Sequence, residues 1–378
     1  MTSISTLLPT HATVNLAALA HNLSRIKRYL SQTCEVMAIV KANAYGHGAV
    51  DIARALANQG IERFAVASLD EGIELRQVGL SAPIVVLGAL FEDQIADLVA
   101  HRLTPVVSNG RILPALAKAT RSHPVPYPIH LKVETGMGRL GFSPEELHSL
   151  LDNPVLWSPL QLEGMMTHLA DADGTDTAFT EQQLGAFHAM LEQIRQHGLT
   201  IPLVHTANSA AIVRFPEAHF SLVRPGIMLY GYHTLPASVP APDLRPVLSL
   251  RTTIVQLRTI PRGGTVSYNR TFVAKRPTRI AVLPIGYADG YSRRLSNRGS
   301  VLIQGRRAPI VGLVCMDMSM VDVTDLAPLQ VGEIVTLIGQ QGQESIWADE
   351  VASWTGTIPY EVLCGIGSRV PRLYESAA

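Results

Sequence analysis

The sequence has little cysteine, no excess of charge and no long apolar run, and each shortage excludes a class of protein. Its 378 residues include three cysteines, Cys34, Cys315 and Cys364, too few and too scattered for a disulfide framework or a zinc site. The formal net charge is zero at pH 7, which argues against electrostatic capture of nucleic acid or anionic membrane. No apolar stretch could span a bilayer, and the first residues lack the features of a signal peptide. We therefore expect a cytoplasmic protein.

The first part of the chain repeats one rhythm: a short apolar run, a polar break, then a segment of helical period. Length alone predicts two to three domains at about 150 residues each. Eight strand–helix units in about 200 residues fit a (β/α)8 barrel over residues 13–240, with an open doubly wound sheet as the alternative. The predicted strands are Val36–Val40, Phe64–Ala67, Ile84–Leu87, Thr104–Val107, Ile129–Val133, Leu162–His168, Pro202–Thr206 and Phe220–Val223.

A proline-rich stretch over residues 234–246 separates this part from a second part with a different sequence pattern. Beyond it, short strands and turns dominate, and only Ala348–Trp354 has the pattern of a helix. The sequence therefore predicts a second, mainly antiparallel β domain over residues 241–378, with residues 1–12 as a candidate addition to its sheet. The longest alternating stretch, Ser249–Ile260, is predicted as a strand.

The apolar run Val36–Val40 ends abruptly at Lys41, and Tyr45, Gly46 and Gly48 follow within a few residues. A strand buried on both faces would place Lys41 at its carboxyl end, where folds of this class hold ligands. Desolvation at the edge of an apolar core lowers the pKa of an amine toward the range in which it attacks a carbonyl. The alternative is a lysine that merely leaves the core for solvent. The aromatic hydroxyl and the bare backbone nearby favour an anionic ligand.

Polar residues follow other predicted strands as well: His168, residues 205–209 and residues 224–227. The loops after the last two strands of a barrel often hold a phosphate. There the Ser209 hydroxyl and the N–H groups of Gly226 and Ile227 offer donors. Each residue alone is more often structural, but together they predict a cofactor with a phosphate and an aldehyde for Lys41.

Three further motifs are better explained without a ligand of their own. The run Gly136–Gly141 matches G-x-G-x-x-G, but it follows the fifth strand and has no matching acidic residue, so we reject a dinucleotide site. For Lys132 beside it, the default prediction is a structural ion pair with Glu134 or a similar partner. The run Asp171–Gly174 lacks the spacing of a calcium loop.

The run Val40–Gly48 resembles the pyridoxal-phosphate attachment motif of the alanine racemases, and the resemblance extends from near Val14 to near Tyr374. Other matching segments are residues 130–141, 205–209, 224–227, Tyr268, 315–317 and 359–361. The resemblance implies a barrel followed by a β domain, and a head-to-tail homodimer in which the β domain of one subunit completes the other's site. It also implies pyridoxal 5′-phosphate, carried by Lys41 as a Schiff base.

The resemblance also implies roles for individual residues. Lys41 and Tyr268 of the partner subunit are the implied catalytic pair. The other implied cofactor-binding residues are Tyr45, Leu87, His168, Asn208, Ser209, Arg224, Gly226, Ile227 and Tyr360. Substrate carboxylate binding is implied for Arg139 and Met316. Supporting or gating roles are implied for Lys132 (carbamylated in many relatives), Asp317, Tyr287 and Cys315.

The activity implied is the interconversion of L-alanine and D-alanine, which needs a base on one face of Cα and an acid on the other. It would serve peptidoglycan synthesis or D-alanine catabolism. One alternative is an amino-acid racemase of broader specificity. The width of the pocket near Tyr287 and Tyr360 would distinguish it from an alanine-specific enzyme. A decarboxylase of the same fold is disfavoured because it places a carboxylate where Arg224 stands. A non-catalytic cofactor carrier would lack the β domain.

Overall fold

The computed structural model describes residues 9–153, 155 and 159–375, and the chain forms two compact units. The first unit, which contains the barrel, covers Ala20–Ala44 and Ala49–Leu244. Within the described residues, the second covers residues 9–19, Tyr45–Gly48 and residues 245–375. No helix within the described ranges is both long enough and apolar enough to cross a membrane.

The first unit is built on a parallel sheet of eight strands that forms a nearly closed barrel, which confirms the predicted fold class. Strands two to eight of the chain lie side by side in sequence order, and the ninth pairs with the second. The strands are β2 (Glu35–Ile39), β3 (Arg63–Val66), β4 (Ile84–Val86), β5 (Thr104–Val107), β6 (Tyr127–Lys132), β7 (Leu160–Met166), β8 (Leu203–His205) and β9 (Leu222–Val223). Most of their residues are buried on both faces, as the unbroken apolar runs predict.

Helices follow the barrel strands, and two of them begin at capping boxes. Ser68 and Glu71 form a capping box at the start of α4, and Ser143 and Glu146 form another at the start of α7. Sequence patterns did not predict α1 or the left-handed turn α2. The helices up to the end of the barrel are α1 (Leu16–Lys27), α2 (Lys41–Tyr45), α3 (Ala49–Ala57), α4 (Leu69–Gln77), α5 (Ile95–Ala100), α6 (Leu113–Ala119), α7 (Pro144–Leu151), α8 (Ala178–Gln196) and α9 (Ser209–Arg214).

The second unit contains a seven-stranded sheet, a three-stranded sheet and a two-stranded ribbon. All its described strand pairs are antiparallel except β1 with β20. Its strands are β1 (His11–Asn15), β10 (Leu248–Thr253), β11 (Gln256–Ile260), β12 (Thr265–Val266), β13 (Phe272–Val273), β14 (Thr278–Leu283), β15 (Ser300–Ile303), β16 (Arg306–Pro309), β17 (Ser319–Asp322), β18 (Ile334–Gln341), β19 (Glu344–Ile346) and β20 (Arg372–Glu375).

Two details of this unit differ from prediction. The alternating stretch Ser249–Ile260 is two strands, β10 and β11, because the chain leaves one sheet at Ile254 and enters another. A second helix, α11 (Pro359–Cys364), follows α10 (Ala348–Thr355), so Ala348–Trp354 was not the only helix. Of the candidate strand in residues 1–12, residues 1–8 lie outside the described part, while His11 and Ala12 begin β1, which pairs with β10.

Candidate active site

Lys41 lies just beyond the carboxyl end of β2 and opens a left-handed turn. Ala42, Asn43, Ala44 and Tyr45 all have φ between 51° and 53°. For residues with a Cβ, this conformation costs roughly 1–2 kcal/mol each relative to the right-handed helix. A turn of this kind persists only where neighbouring groups hold it, and such strain is concentrated at functional sites.

Glu71 on α4 is one of the groups that hold this turn. One carboxylate oxygen accepts the Ala42 N–H at 2.6 Å, and the other accepts the Ala67 N–H at 2.7 Å after β3. The side chain of Asn43 accepts the Ala49 N–H at 2.8 Å and so joins the turn to the start of α3. Glu71 therefore helps to position the backbone that carries Lys41.

Arg224 follows β9 and is almost fully buried among acceptors. Its Nη1 donates to the His205 carbonyl at 2.6 Å and to His205 Nδ1 at 3.0 Å. Its Nη2 donates to the carbonyls of Thr167 and Thr206 at 2.8 and 2.9 Å. Burial lowers the pKa of Arg224 to about 9, which still leaves a cation at neutral pH. The guanidinium is thus fixed at the carboxyl ends of three barrel strands.

A chain of hydrogen bonds runs from Arg224 into the barrel interior. The pairs are His205 Nε2 with His130 Nδ1 at 2.8 Å, and His130 Nε2 with Glu163 Oε2 at 3.2 Å. Arginine can only donate, so His205 Nδ1 accepts and its Nε2 carries the proton. His130 Nδ1 must then accept, and its Nε2–H donates to the carboxylate. Gly164 makes room for this chain, since a Cβ there would lie 2.4 Å from His130 Nδ1.

Cations surround the buried side chain of Lys132, the last residue of β6. Burial, then the neighbouring charges of Arg139, Arg224 and Lys41, lower the pKa of Lys132 to about 8, against a smaller opposing effect of Glu134. Burial and the same cations lower the pKa of His168 to about 3, so this imidazole is neutral. Positive charge therefore accumulates at the carboxyl ends of the strands, as an anionic ligand requires.

The predicted ion pair of Lys132 with Glu134 is wrong. Within the described ranges these two residues form no salt bridge. Instead, the Glu134 carboxylate accepts the N–H groups of Gly136 and Arg139 at 2.6 and 3.2 Å. Those bonds lower the pKa of Glu134, although burial opposes them. Glu134 thus shapes the loop that presents Arg139.

The loops after β8 and β9 meet at Ser209. Its buried hydroxyl accepts the N–H of Gly226 at 3.0 Å and that of Met228 at 3.4 Å. Because both contacts use oxygen lone pairs, the hydroxyl proton is left to donate. Asn208 caps α9 through the Ala211 N–H at 3.1 Å. Leu87 follows β4, and its N–H donates to the Val66 carbonyl at 2.9 Å.

The second unit holds a cavity of about 740 Å³ lined by another group of the predicted site residues. Tyr268, Cys315, Met316 and Asp317 line it, and Tyr268 is 68% exposed. Ser267 donates to the Leu313 carbonyl at 2.6 Å and fixes the backbone before Tyr268. Tyr268 therefore lines this cavity and faces solvent.

Tyr287 belongs to the same region of the second unit. The Tyr287 N–H donates to the Cys315 carbonyl at 3.0 Å, and the Ala288 N–H donates to the Met316 carbonyl at 3.0 Å. Gly286 permits this close approach, because a Cβ there would lie 2.3 Å from the same two carbonyl oxygens. The Asp317 carboxylate accepts from Arg369 at 2.9 Å.

Tyr45 and Tyr360 form a third group, also within the second unit. Their ring centroids are 5.9 Å apart. Burial, then the proximity of Tyr360, raises the pKa of Tyr45 above its ordinary value. The hydroxyl therefore stays protonated and can donate a hydrogen bond to an anion.

The structure places the predicted site residues in separate groups within the two units. The barrel unit gathers Lys41, Leu87, Lys132, Arg139, His168, Asn208, Ser209, Arg224, Gly226 and Ile227 near its strand ends. The second unit gathers Tyr45 with Tyr360, and Tyr268 with Tyr287, Cys315, Met316 and Asp317. Sequence reasoning did not assign roles to Glu71, His130 or Glu163. The capping motif of Ser68 and Glu71 was the one available signal.

Comparison with known proteins relates nearly the whole described chain to one family. Residues 14–234 match the model of the alanine racemase N-terminal domain, and residues 247–374 match that of the C-terminal domain. An alanine racemase of Carboxydothermus hydrogenoformans is 45% identical over 97% of this chain and 99% of its own length.

Solved structures show the same relation. The alanine racemase of Clostridium difficile 630 superposes with a TM-score of 0.93 at 34% identity, covering 99% of this chain and 97% of that one. The alanine racemase of Bartonella henselae, solved with covalently bound pyridoxal phosphate, superposes with a TM-score of 0.88 at 33% identity. The match covers 97% of this chain and 99% of that one.

Proposed function

Since the chain belongs to the alanine racemase family of isomerases, we propose that it interconverts L-alanine and D-alanine with pyridoxal 5′-phosphate bound at Lys41. The observation that carries the proposal is the convergence of Lys41, Arg224 and Ser209 at the carboxyl ends of the barrel strands. We place this activity in the cytoplasm, where it would supply D-alanine for peptidoglycan or remove D-alanine.

The donor set of the barrel fits this cofactor. The amine can react with an aldehyde, and the fixed cation can donate a hydrogen bond to a pyridine nitrogen. The serine hydroxyl and the nearby backbone N–H groups can donate to a phosphate. Lys41 would hold the aldehyde carbon, and Arg224 would face the ring nitrogen. Ser209, Gly226 and Ile227, with Tyr45 and Tyr360, would bind the phosphate. When bound, the group supplies an electron sink that makes the Cα proton of alanine acidic.

Inversion at Cα needs proton transfer on opposite faces, since a single base would only exchange the proton. We assign one face to the Lys41 amine and the other to the Tyr268 hydroxyl. Arg139 and the Met316 N–H would bind the substrate carboxylate. Arg224 remains a cation, so the ring nitrogen opposite it cannot readily gain a proton. This limits side reactions such as transamination.

We propose that Tyr268 acts on the site of a second copy of the chain. In one copy Tyr268, Met316 and Tyr287 are 68, 53 and 43% exposed, which is unusual for groups that would handle a proton or a substrate. A head-to-tail homodimer would cover them and complete two shared sites.

The first test concerns the cofactor and the reaction. The purified protein should show the visible absorbance of bound pyridoxal phosphate and should convert L-alanine to D-alanine. Lys41→Ala should abolish both. A colourless protein that refuses pyridoxal phosphate would refute the proposal. Comparison of alanine with serine as substrate separates an alanine-specific racemase from a broader one.

The second test concerns Tyr268. Tyr268→Phe should retain the cofactor yet lose L-to-D turnover at least about 100-fold, the usual contribution of a positioned acid or base. Tyr29→Phe, at another exposed tyrosine, is the matched control and should keep full activity. Full activity of Tyr268→Phe would remove Tyr268 from the mechanism.

Co-expression of Lys41→Ala with Tyr268→Phe tests the shared site. Random pairing makes half of the dimers mixed, and each mixed dimer has one site with both groups, so activity should return to about a quarter of wild type. Neither variant alone should be active. No recovery in the mixture would mean that both groups come from the same copy.

A further inference from the structure

A group of three metal-ligating side chains lies on the outer helices of the barrel unit. His148 lies on α7, Asp152 caps the end of that helix, and His197 caps the end of α8. One ligand atom from each lies within 4.8 Å of the other two. All three residues are exposed, and none belongs to the active site described above.

The spacing of these atoms resembles that of ligands around a tetrahedral ion. His197 Nε2 lies 3.1 Å from one Asp152 oxygen, and His148 Nε2 lies 3.5 Å from the other. Zinc bonds of about 2.1 Å in a tetrahedron place neighbouring ligand atoms about 3.4 Å apart. Since the three ligand atoms lie within 4.8 Å of one another, rotations of these exposed side chains can bring them to a common ion.

The ring of His197 is held in place by hydrogen bonds on both of its nitrogens. Its Nδ1 lies 2.8 Å from the carbonyl of Gln193, one turn earlier in α8, and donates to it. Its Nε2 donates to Asp152 Oδ1 at 3.1 Å, and zinc would replace the proton on that nitrogen while the bond of Nδ1 to Gln193 is kept. Histidines that bind metals are commonly held in this way. His148 and Asp152 are one helical turn apart and so project from the same face of α7.

We propose that His148, Asp152 and His197 form a Zn²⁺ site that links α7 to α8, with water as the fourth ligand. Two imidazoles and one carboxylate suit zinc better than magnesium or calcium, which prefer oxygen ligands. Bound zinc stabilises the barrel against heat by joining the ends of two neighbouring helices. This site is separate from the proposed racemase activity and does not depend on it.

Zinc titration of the metal-stripped holoenzyme tests the site. We expect one equivalent to bind by calorimetry, and Co²⁺ in its place to show the visible absorption of a tetrahedral ion with nitrogen ligands. His148→Ala and His197→Ala should each weaken zinc binding at least tenfold and remove the zinc-dependent rise in Tm. Circular dichroism and racemase activity should be unchanged in both variants.

His101→Ala is the matched control, because His101 also ends a helix with its Nδ1 on a carbonyl one turn earlier, at 2.8 Å. It should bind zinc like wild type. The proposal is overturned if wild type binds no zinc, or if zinc binding and the rise in Tm survive in His148→Ala and His197→Ala. The latter would identify an adventitious ion bound elsewhere, and the three side chains would then form surface ion pairs only.

Discussion

The low pKa of Lys132 leads to a quantitative prediction. A lysine forms a carbamate only through its neutral amine, which attacks CO₂ and releases one proton. With a pKa of about 8, about a quarter of Lys132 side chains are neutral at pH 7.5, against about one in a thousand for an ordinary lysine. That is a roughly 200-fold larger reactive population.

The surroundings also favour the product. Carbamate formation replaces a positive charge with a negative one, beside Arg139, Arg224 and Lys41. The cations that disfavour the ammonium therefore stabilise the carbamate. We propose that Lys132 is carbamylated in solution and gives Arg139 an anionic partner, which Glu134 does not provide.

Carbon-13 NMR with labelled bicarbonate tests this proposal. At pH 8 we expect one protein-bound carbamate signal that fades as the pH falls and more of the amine is protonated. Lys132→Arg keeps the positive charge but has no nucleophilic amine, so the signal should vanish. Lys118→Arg, at a lysine on α6, should leave it unchanged. A signal that persists in Lys132→Arg, or no signal in wild type, would refute the reasoning.

Two further predictions concern the hydrogen-bond chain below Arg224. Gly164→Ala places a Cβ 2.4 Å from the buried His130 ring and should lower the free energy of unfolding by about 1–3 kcal/mol in urea melts, whereas Gly185→Ala, which meets nothing within 4 Å, should be neutral or stabilising. A harmless Gly164→Ala would show that the ring can move. Glu163→Leu should cost about 1–3 kcal/mol at pH 7, because His130 loses its acceptor. The bond to His130 depresses the folded-state pKa of Glu163, so its contribution is present above the unfolded pKa and is lost as the pH falls through the folded pKa. The variant should therefore resemble wild type more closely in acid, and an equal loss at all pH values would contradict this.

The barrel strands were predictable because their burial on both faces leaves unbroken apolar runs in the sequence. All eight predicted strands overlap observed ones, and Thr104–Val107 has the same bounds. The polar residues at strand ends were predictable too, because a polar residue directly after an apolar run marks the end of the buried strand. The helix α11 was missed since its six residues are too few to establish a helical period.

The turn after Lys41 could not be predicted, because Ala, Asn, Ala and Tyr do not mark a left-handed conformation as glycine would. Its partner Glu71 is 29 residues away from Ala42. His130 and His205 are 75 residues apart and meet only because the barrel closes around them. Contacts of this kind depend on tertiary structure, so the hydrogen-bond chain had no local signal.

The polarity of that chain explains how the site keeps its positive charge. Among the described residues, Lys132, Arg139 and Arg224 form no salt bridge with a carboxylate. The carboxylate of Glu163 instead lies two imidazoles away from Arg224, near Arg63 at the start of β3. The two imidazole rings between them orient the guanidinium without placing a carboxylate against it. A carboxylate placed directly on Arg224 would weaken the field that attracts an anionic ligand. The barrel interior therefore holds Arg224 in a fixed orientation and keeps its positive charge available to the active site.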